Sequence, residues 1–200
     1  MTSKANSSEQ FVVYPAAAER WDELETLFGK HGASEDCWYM FWRLRRKDFY
    51  HLNGEGRKAA LKEMTLENKA PGLLAYVNVR LRDGVHWDRA KITIALENPR
   101  ILKRIDEKPV WSIVCFYVNK AYRLQGIMEA LVHGAVDYAR QHGAKIVEGY
   151  PIDMQSPQLS GHKLTGDGGF MGIASIFRRA GFVDAGRVSE TQLIMRYTIA

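Results

Sequence analysis

Apolar residues along this chain follow two spacings, one typical of strands and one typical of amphipathic helices. Runs of mostly apolar residues predict five strands, at 10–14, 73–77, 110–118, 145–151 and 192–199. Five further segments predict helices, at 16–30, 36–52, 57–68, 126–142 and 170–180. Asp36 is a plausible N-cap for the second helix. With no internal repeat and no dividing linker, the pattern predicts a single α/β domain over residues 1–200, with 1–9 flexible.

The strand at 110–118 (VWSIVCFYV) is apolar on both faces, which is typical of a central strand covered on both sides. Residues 97–109, bounded by two prolines, and 153–169, rich in Gly, Ser, Gln and Asp, predict loops. The helix at 126–142 carries a regular apolar stripe and ends at Gly143.

Composition narrows the class of protein. Hydrophobic residues make up 46% and charged residues 26% of the 200 residues, as in an ordinary globular chain, so a disordered or fibrous protein is excluded. No apolar run approaches the ~20 residues of a membrane span. The polar start MTSKANSSEQ contains no secretion signal. The two cysteines form no CxxC pair, and we expect reduced thiols in a cytoplasmic protein.

The net charge of +5 is modest. Its densest part, Arg43 to Lys47, follows the aromatic residues of 38–42, and such a mixture can bind nucleic acid. An amphipathic helix with a solvated basic face explains the same residues more simply, so nucleic acid is an unlikely partner. A diffuse positive charge also suits an anionic small ligand.

The segment 116–128 (FYVNKAYRLQGIM) joins the central strand to the long helix through a short turn. The first amides of a helix have no intrahelical acceptor and carry partial positive charge, so such an end binds phosphate. Gly126 lets a backbone approach an anion closely, and Arg123 adds a cationic donor. The segment contains neither GK[ST] nor GxGxxG, which excludes a Walker A loop and a Rossmann fingerprint.

This segment, FYV-NKA-YRLQG, resembles the central motif of the GCN5-related N-acetyltransferase (GNAT) family. KIVEGYP and the helix ending RRAGF at 178–182 continue the likeness, which covers roughly 110–200 closely. The resemblance implies an α/β (α+β) fold. Its central sheet would be mixed and mostly antiparallel, splayed at the acetyl-CoA site and flanked by helices on both faces.

The resemblance also implies the activity: acetyl transfer from acetyl-CoA to an amine of a small molecule or peptide, by direct attack. The pyrophosphate would lie on the turn residues, Arg123, Leu124, Gln125, Gly126, Ile127 and Met128. The pantetheine arm would pair with Phe116, Tyr117 and Val118, where a backbone N–H would bind the thioester oxygen. A homodimer is compatible with the sequence, which does not identify the acceptor.

Two positions depart from the family pattern. Met128 stands where the family has Gly or Ala, and Phe177 stands where many members carry a Tyr that protonates the departing thiolate. A phenyl ring cannot donate a proton, so a non-catalytic acyl-CoA-binding module is the main alternative to an enzyme. A thiolate can also leave without an acid, because a thiol pKa lies near 8–9.

Candidate proton carriers lie near the end of the strand 145–151. Glu148 is the first candidate base, followed by Asp153, and the alternative for Glu148 is a structural hydrogen-bond partner. Tyr150, Ser175 or water could act as the acid. The histidines show no metal-ligand spacing, so we expect no metal site. Cys115 is expected to pack in the core rather than to carry an acyl group, and residues 38–42 to divide between core and acceptor pocket.

Residues 79–93 (VRLRDGVHWDRAKIT) fit neither spacing, although the family's sheet has a hairpin here. One codon choice for this stretch, read two bases later, gives AAAGWCALGSGKDY. With one base restored before it and one removed after it, residues 73–100 become LLAYVNGAAAGWCALGSGKDYIALENPR, which has an Asn-Gly turn between apolar strands. We hypothesise two compensating frameshifts, in the gene or in its reading. An intact mass that differs from the printed sequence would identify a reading error, and an agreeing mass a change in the gene. DNA without such an alternative frame would contradict the hypothesis.

Overall fold

A computed structural model describes residues 11–67, 72–77, 88–95, 104–159, 161–162, 164 and 169–200, with the backbone alone for 88–95. The flexibility predicted for residues 1–9 and most of the stretch 79–93 therefore fall outside the described residues.

In the described residues, seven strands form one sheet. They are β1 (Phe11–Pro15), β2 (Leu73–Val77), β3 (Asp88–Ala95), β4 (Trp111–Val118), β5 (Ile146–Gly149), β6 (Val183–Ser189) and β7 (Gln192–Thr198). Their order is β1-β2-β3-β4-β5-β7-β6. The β4–β5 pair is parallel, and the other neighbours are antiparallel. The predicted mixed, mostly antiparallel sheet is confirmed.

Helices cover both faces of this sheet. They are α1 (Trp21–Phe28), α2 (Arg46–His51), α3 (Gly54–Leu66), α4 (Ile127–Gln141) and α5 (Ala174–Arg179). The fully buried strand β2 shows how the faces divide: Leu73, Ala75 and Val77 pack with α4 and α5, whereas Leu74 and Tyr76 pack with α1 and α3. Because successive side chains of a strand point to opposite faces, one apolar run serves two cores.

The predicted helix at 36–52 is wrong. Residues Met40–Trp42 form a single 3-10 turn, and α2 begins only at Arg46. Asp36 is not an N-cap, since its φ is +53° within a turn that also holds Trp38 and Tyr39 at positive φ. Tyr39 stacks on Phe28 with ring centroids 5.0 Å apart, and Trp38 meets the same ring edge-on. Burial of these rings outweighs the local preference for helix.

Further corrections concern two element boundaries and two strands that the spacing did not predict. The predicted helix 57–68 begins earlier, at Gly54, because the Asn53 side chain accepts a hydrogen bond from the Gly56 N–H. The predicted helix 170–180 is confined to α5. The spacing predicted neither β3 nor β6. Most of β3 lies in the charged stretch 79–93, which lacks alternation, and β6 is an edge strand with mostly exposed residues and no apolar run.

Strands β4 and β5 pair over only three positions, from Trp111 with Val147 to Ile113 with Gly149. Beyond them the strands part, and the ring of Phe177 lies beside Gly149. A Cβ added to Gly149 would lie 2.2 Å from Cε1 of that ring. Phe177 is fully buried and also meets Phe116 edge-on, with centroids 6.0 Å apart. The Phe177 ring therefore packs over Gly149 and Phe116, on one face of the sheet where the two strands part.

Candidate functional site

The N-terminus of α4 lies beside the end of β4 and lines a cavity with it. Gly126, at φ +85°, precedes the helix, and its carbonyl accepts the first helical bond from the Ala130 N–H at 3.1 Å. The amides of residues 127–129 consequently have no intrahelical acceptor. Among the described residues, a Cβ on Gly126 would meet only the Phe11 ring, at 3.8 Å, so these residues leave room for an incoming group.

The turn before α4 is tied to the end of β4. Arg123 Nε donates to the Val118 carbonyl at 3.2 Å, and Gln125 Nε2 donates to the Ala121 carbonyl at 3.2 Å. Leu124 is fully exposed, with a φ of +63°. The exposed apolar side chain of Leu124 and the cation of Arg123 therefore lie just before the N-terminus of α4.

A cavity of about 470 Å³ lies against this turn, and we call it the helix-end cavity. It is lined by residues of β4, the turn, α4 and α5, including Phe116, Tyr117, Val118, Arg123, Leu124, Gly126, Ile127 and Met128. Of the nine residues predicted to bind acetyl-CoA, only Gln125 is not part of this lining. Arg179 of α5 also lines it and forms an ion pair with Glu129 of α4 at 2.8 Å.

A second cavity, of about 480 Å³, lies on the α2–α3 side of β4, and we call it the aromatic cavity. Its ring-bearing lining residues are Tyr39, Phe41, Trp42, Phe49, Tyr50, Phe116, Tyr117 and Phe170. Trp38 and Met40 are buried in the core instead, so the segment 38–42 divides between core and cavity. The two cavities share Phe116, Tyr117 and Phe170, and therefore adjoin at the end of β4.

Residues 169–173 cross the gap between the parted strands. The Phe116 N–H donates to the Phe170 carbonyl at 2.6 Å, and the Ile152 N–H donates to the Gly172 carbonyl at 2.9 Å. Along an antiparallel ladder alternate residues turn their amides to the same side, so the Val118 N–H also faces away from β3. Of these two amides on the open edge of β4, that of Phe116 is bonded to Phe170.

Glu148 lies in a buried network behind the parted strands. Its carboxylate accepts from Arg196 Nε at 2.6 Å and from the Tyr150 hydroxyl at 2.5 Å, and only 2% of Glu148 is exposed. The other guanidinium nitrogens of Arg196 donate to Asp106 at 2.6 and 3.0 Å. These bonds lower the pKa of Asp106 to about 2. Burial, and then the bond to Glu148, raises the pKa of Tyr150 well above its ordinary value.

The candidate acid and base residues occupy three different environments. Glu148 and Tyr150 are in contact with each other but belong to the lining of neither cavity. Ser175 is exposed on α5 and lines neither cavity. Asp153 is buried and pairs with Arg187 at 2.8 Å. The geometry brings two of the three catalytic candidates together and leaves Ser175 apart.

Sequence reasoning missed two residues that shape the site. Arg196 had a usable signal, because a lone arginine within the apolar run LIMRY needs a buried acidic partner, and Glu148 was the candidate. Phe170 had no signal, since it fell at the start of a predicted helix, whereas its backbone carbonyl closes the β4 edge.

Cys115 was expected to pack in the core. Cys115 is half-buried and lines the aromatic cavity beside Tyr39. Burial, with a further contribution from the Cys115 thiol, raises the pKa of Tyr39 well above its ordinary value.

In the part of the chain that the structure describes, no cluster of three His, Cys, Asp or Glu residues could hold a metal. Within the same part, no helix is both long and apolar enough to cross a membrane.

Comparison with known proteins gives the fold and the family. A family model described as "Acetyltransferase (GNAT) family" matches residues 21–150. A solved GNAT-family acetyltransferase from Listeria monocytogenes 4b F2365 superposes with a TM-score of 0.57 at 9% identity, covering 98% of this chain and 99% of that one. The GNAT domain of S. lividans PAT gives 0.51 at 13% identity, covering 98% and 100%. A search of curated proteins finds no match.

At such low identities the solved structures show the fold, and the family model supplies the membership. This chain belongs to the GNAT acetyltransferase family.

Proposed function

We propose that this protein transfers the acetyl group of acetyl-CoA to an amine by direct attack. The observation that carries the proposal is that two cavities adjoin at Phe116, Tyr117 and Phe170. With its thioester at that boundary, acetyl-CoA would lie in the helix-end cavity, and the amine would approach the thioester from the aromatic cavity. Holding both reactants in contact removes much of the entropic barrier of a bimolecular reaction.

The helix-end cavity fits the CoA part of the substrate. The pyrophosphate would accept hydrogen bonds from the amides of residues 127–129, in the positive field of the α4 N-terminus. Arg123 would add a charged donor, and Val118 lies at the end of the edge along which the pantetheine would run. Met128 is half-buried in the cavity wall, and the open space at Gly126 leaves the approach to the amides free.

In the reaction, the amine nitrogen attacks the thioester carbonyl carbon and forms a C–N bond. Negative charge then develops on the carbonyl oxygen, where a backbone N–H of β4 would stabilise it. Collapse of this adduct breaks the C–S bond and releases the CoA thiolate, while the nitrogen loses its proton to a base. The amide of Phe116 can serve only if the thioester oxygen replaces the Phe170 carbonyl, whereas the Val118 amide faces the same edge.

Glu148, Tyr150 and Ser175 stay predictions as proton carriers. The Glu148 carboxylate already accepts bonds from Arg196 and Tyr150, which favours its alternative role as a structural partner. As the base, it would have to receive the proton through the Tyr150 hydroxyl or through water. Departure of the thiolate needs no acid, so Phe177 is compatible with turnover.

A non-catalytic acyl-CoA-binding module is the second candidate. It is favoured by the phenyl ring of Phe177 and by the engaged carboxylate of Glu148. Incubation with acetyl-CoA and a panel of amines separates the two candidates by the release of CoA thiol. We expect amine-dependent thiol release above the rate of hydrolysis, and tight CoA binding without release for every amine would support the module.

The first mutational prediction concerns the CoA end. We expect Gly126→Val to raise the Kd of acetyl-CoA about tenfold or more, because a branched side chain obstructs the approach to the α4 amides. The measurement is calorimetric titration of the folded variant with acetyl-CoA.

Gly143→Val is a matched control for that experiment. Gly143 follows the other end of α4, at φ +77°, and in the part of the chain that the structure describes no atom lies within 4 Å of its added Cβ. Both variants carry the cost of a branched residue at positive φ, about 1–2 kcal/mol. Equal affinity in the two folded variants would mean that the α4 N-terminus does not bind the cofactor.

The second mutational prediction separates the two roles of Glu148. Because its carboxylate is buried between Arg196 and Tyr150, we expect Glu148→Gln to lower the free energy of unfolding by about 3–5 kcal/mol. Activity per folded molecule would be largely retained. Both are measured on one preparation, by denaturant unfolding and by thiol release.

Glu129→Gln is the control for the loss of a carboxylate, since Glu129 pairs with Arg179 on a more exposed surface. An exposed pair contributes about 0–1 kcal/mol, so this variant should remain as stable as the parent. If Glu148→Gln instead keeps its stability and its acetyl-CoA affinity but loses turnover, Glu148 is the base.

A further inference from the structure

The aromatic cavity has walls suited to a flat apolar body. Phe41 meets Trp42 and Phe49 edge-on, with ring centroids 5.1 and 5.5 Å away. Trp42 and Tyr50 line the same space. Aromatic rings pack favourably in such edge-to-face arrangements, so the cavity is suited to an aromatic ring.

Arg57 of α3 brings a positive charge to these walls. Its guanidinium lies 4.0 Å from the centroid of the Phe49 ring. Nε and Nη2 donate to the Phe49 carbonyl at 3.1 and 2.9 Å, and Nη1 donates to the Asp36 carbonyl at 3.3 Å. Among the described residues, these bonds reach backbone carbonyls rather than carboxylates. They use three of the five N–H groups of the guanidinium.

The position of Arg57 separates it from the reacting centre. Arg57 lines the aromatic cavity but not the helix-end cavity, whereas Phe116 and Tyr117 line both. Of the described residues that line the aromatic cavity, the other charged one is Glu35, which is exposed. A ligand that fills the aromatic cavity therefore contacts Phe116 and Tyr117, where the thioester would lie, and also the half-buried cation of Arg57.

We propose that the acceptor is an amine with an aromatic body and an anionic group, such as a carboxylate, that binds Arg57. This inference rests on the proposed acetyl transfer and adds the chemical class of the acceptor. The amine would lie at Phe116 and Tyr117, the ring among Phe41, Trp42 and Phe49, and the anion at the remaining guanidinium donors. Planar guanidinium groups favour carboxylates because both form paired hydrogen bonds.

Two probes of the same shape test the charge. 4-(Aminomethyl)benzoate carries an amine and a distal carboxylate, and 4-methylbenzylamine replaces the carboxylate by a methyl group. Binding is followed by quenching of tryptophan fluorescence, with and without saturating CoA, and acetylation by thiol release. We expect the carboxylate probe to bind about tenfold more tightly and to have a correspondingly lower KM, since a charged hydrogen bond is involved.

Variants show whether Arg57 produces the preference. Arg57→Gln should abolish it, and Arg57→Lys should keep part of it because the charge remains. Arg46→Gln is the matched control: it removes a charge from α2, where Arg46 contacts the Phe41 ring at 5.9 Å without lining the cavity. That variant should retain the full preference. A purely structural Arg57 would instead weaken both probes equally, through loss of its bonds to Phe49 and Asp36.

The outcomes separate this inference from the proposed function. Binding without a preference for the carboxylate probe, or a preference that survives in Arg57→Gln, overturns the inference even if amines are acetylated. A preference that depends on Arg57, together with no thiol release from either probe, supports the inference as a binding property and counts against acetyl transfer.

Discussion

The site depends on the parting of two parallel strands. β4 and β5 are paired over three positions and then diverge, so the backbone groups of β4 beyond Ile113 lack a strand partner on that side. Backbone N–H and C=O groups inside a protein are costly to leave without a hydrogen bond. Here the Phe116 N–H donates to the Phe170 carbonyl and the Val118 carbonyl accepts from Arg123, so groups without a strand partner find other partners. Residues 169–173 cross the gap and bond to both sides, through Phe116 on β4 and Ile152 beyond β5, while the Phe177 ring packs against Gly149. Both cavities reach the same stretch of β4 because of this divergence.

A network of charged side chains lies next to the point where β4 and β5 part. Glu148 is the neighbour of Gly149 on β5, and Arg196 on β7 joins it to Asp106. Removing one member of such a network leaves a charge without compensation, which makes the arrangement sensitive to single substitutions. Packing explains why a phenyl ring occupies position 177. The Phe177 ring touches Gly149, Phe116 and Phe182, so its packing role is evident whether or not the reaction needs an acid.

The sequence was most informative where one pattern determines one element. β4 and α4 were placed closely because an apolar strand and a long apolar stripe have few alternatives. The segment 36–52 could not be placed, since its aromatic residues satisfy helical spacing while Tyr39 and Trp38 pack on Phe28 through positive-φ turns. β6 has no apolar run, and the contact of the Phe170 carbonyl with β4 joins residues distant in sequence. Interactions of that kind leave no local pattern.

The shared wall at Phe170 has a thermodynamic consequence. Its side chain borders both cavities, and its carbonyl is bonded to the β4 edge. A ligand in one cavity that shifts this residue alters the shape of the other, so the two occupancies are linked. Linkage is reciprocal: whatever factor the first ligand imposes on the affinity of the second, the second imposes on the first. The coupling free energy therefore measures how strongly the residues common to both cavities, Phe116, Tyr117 and Phe170, transmit the occupancy of one cavity to the other.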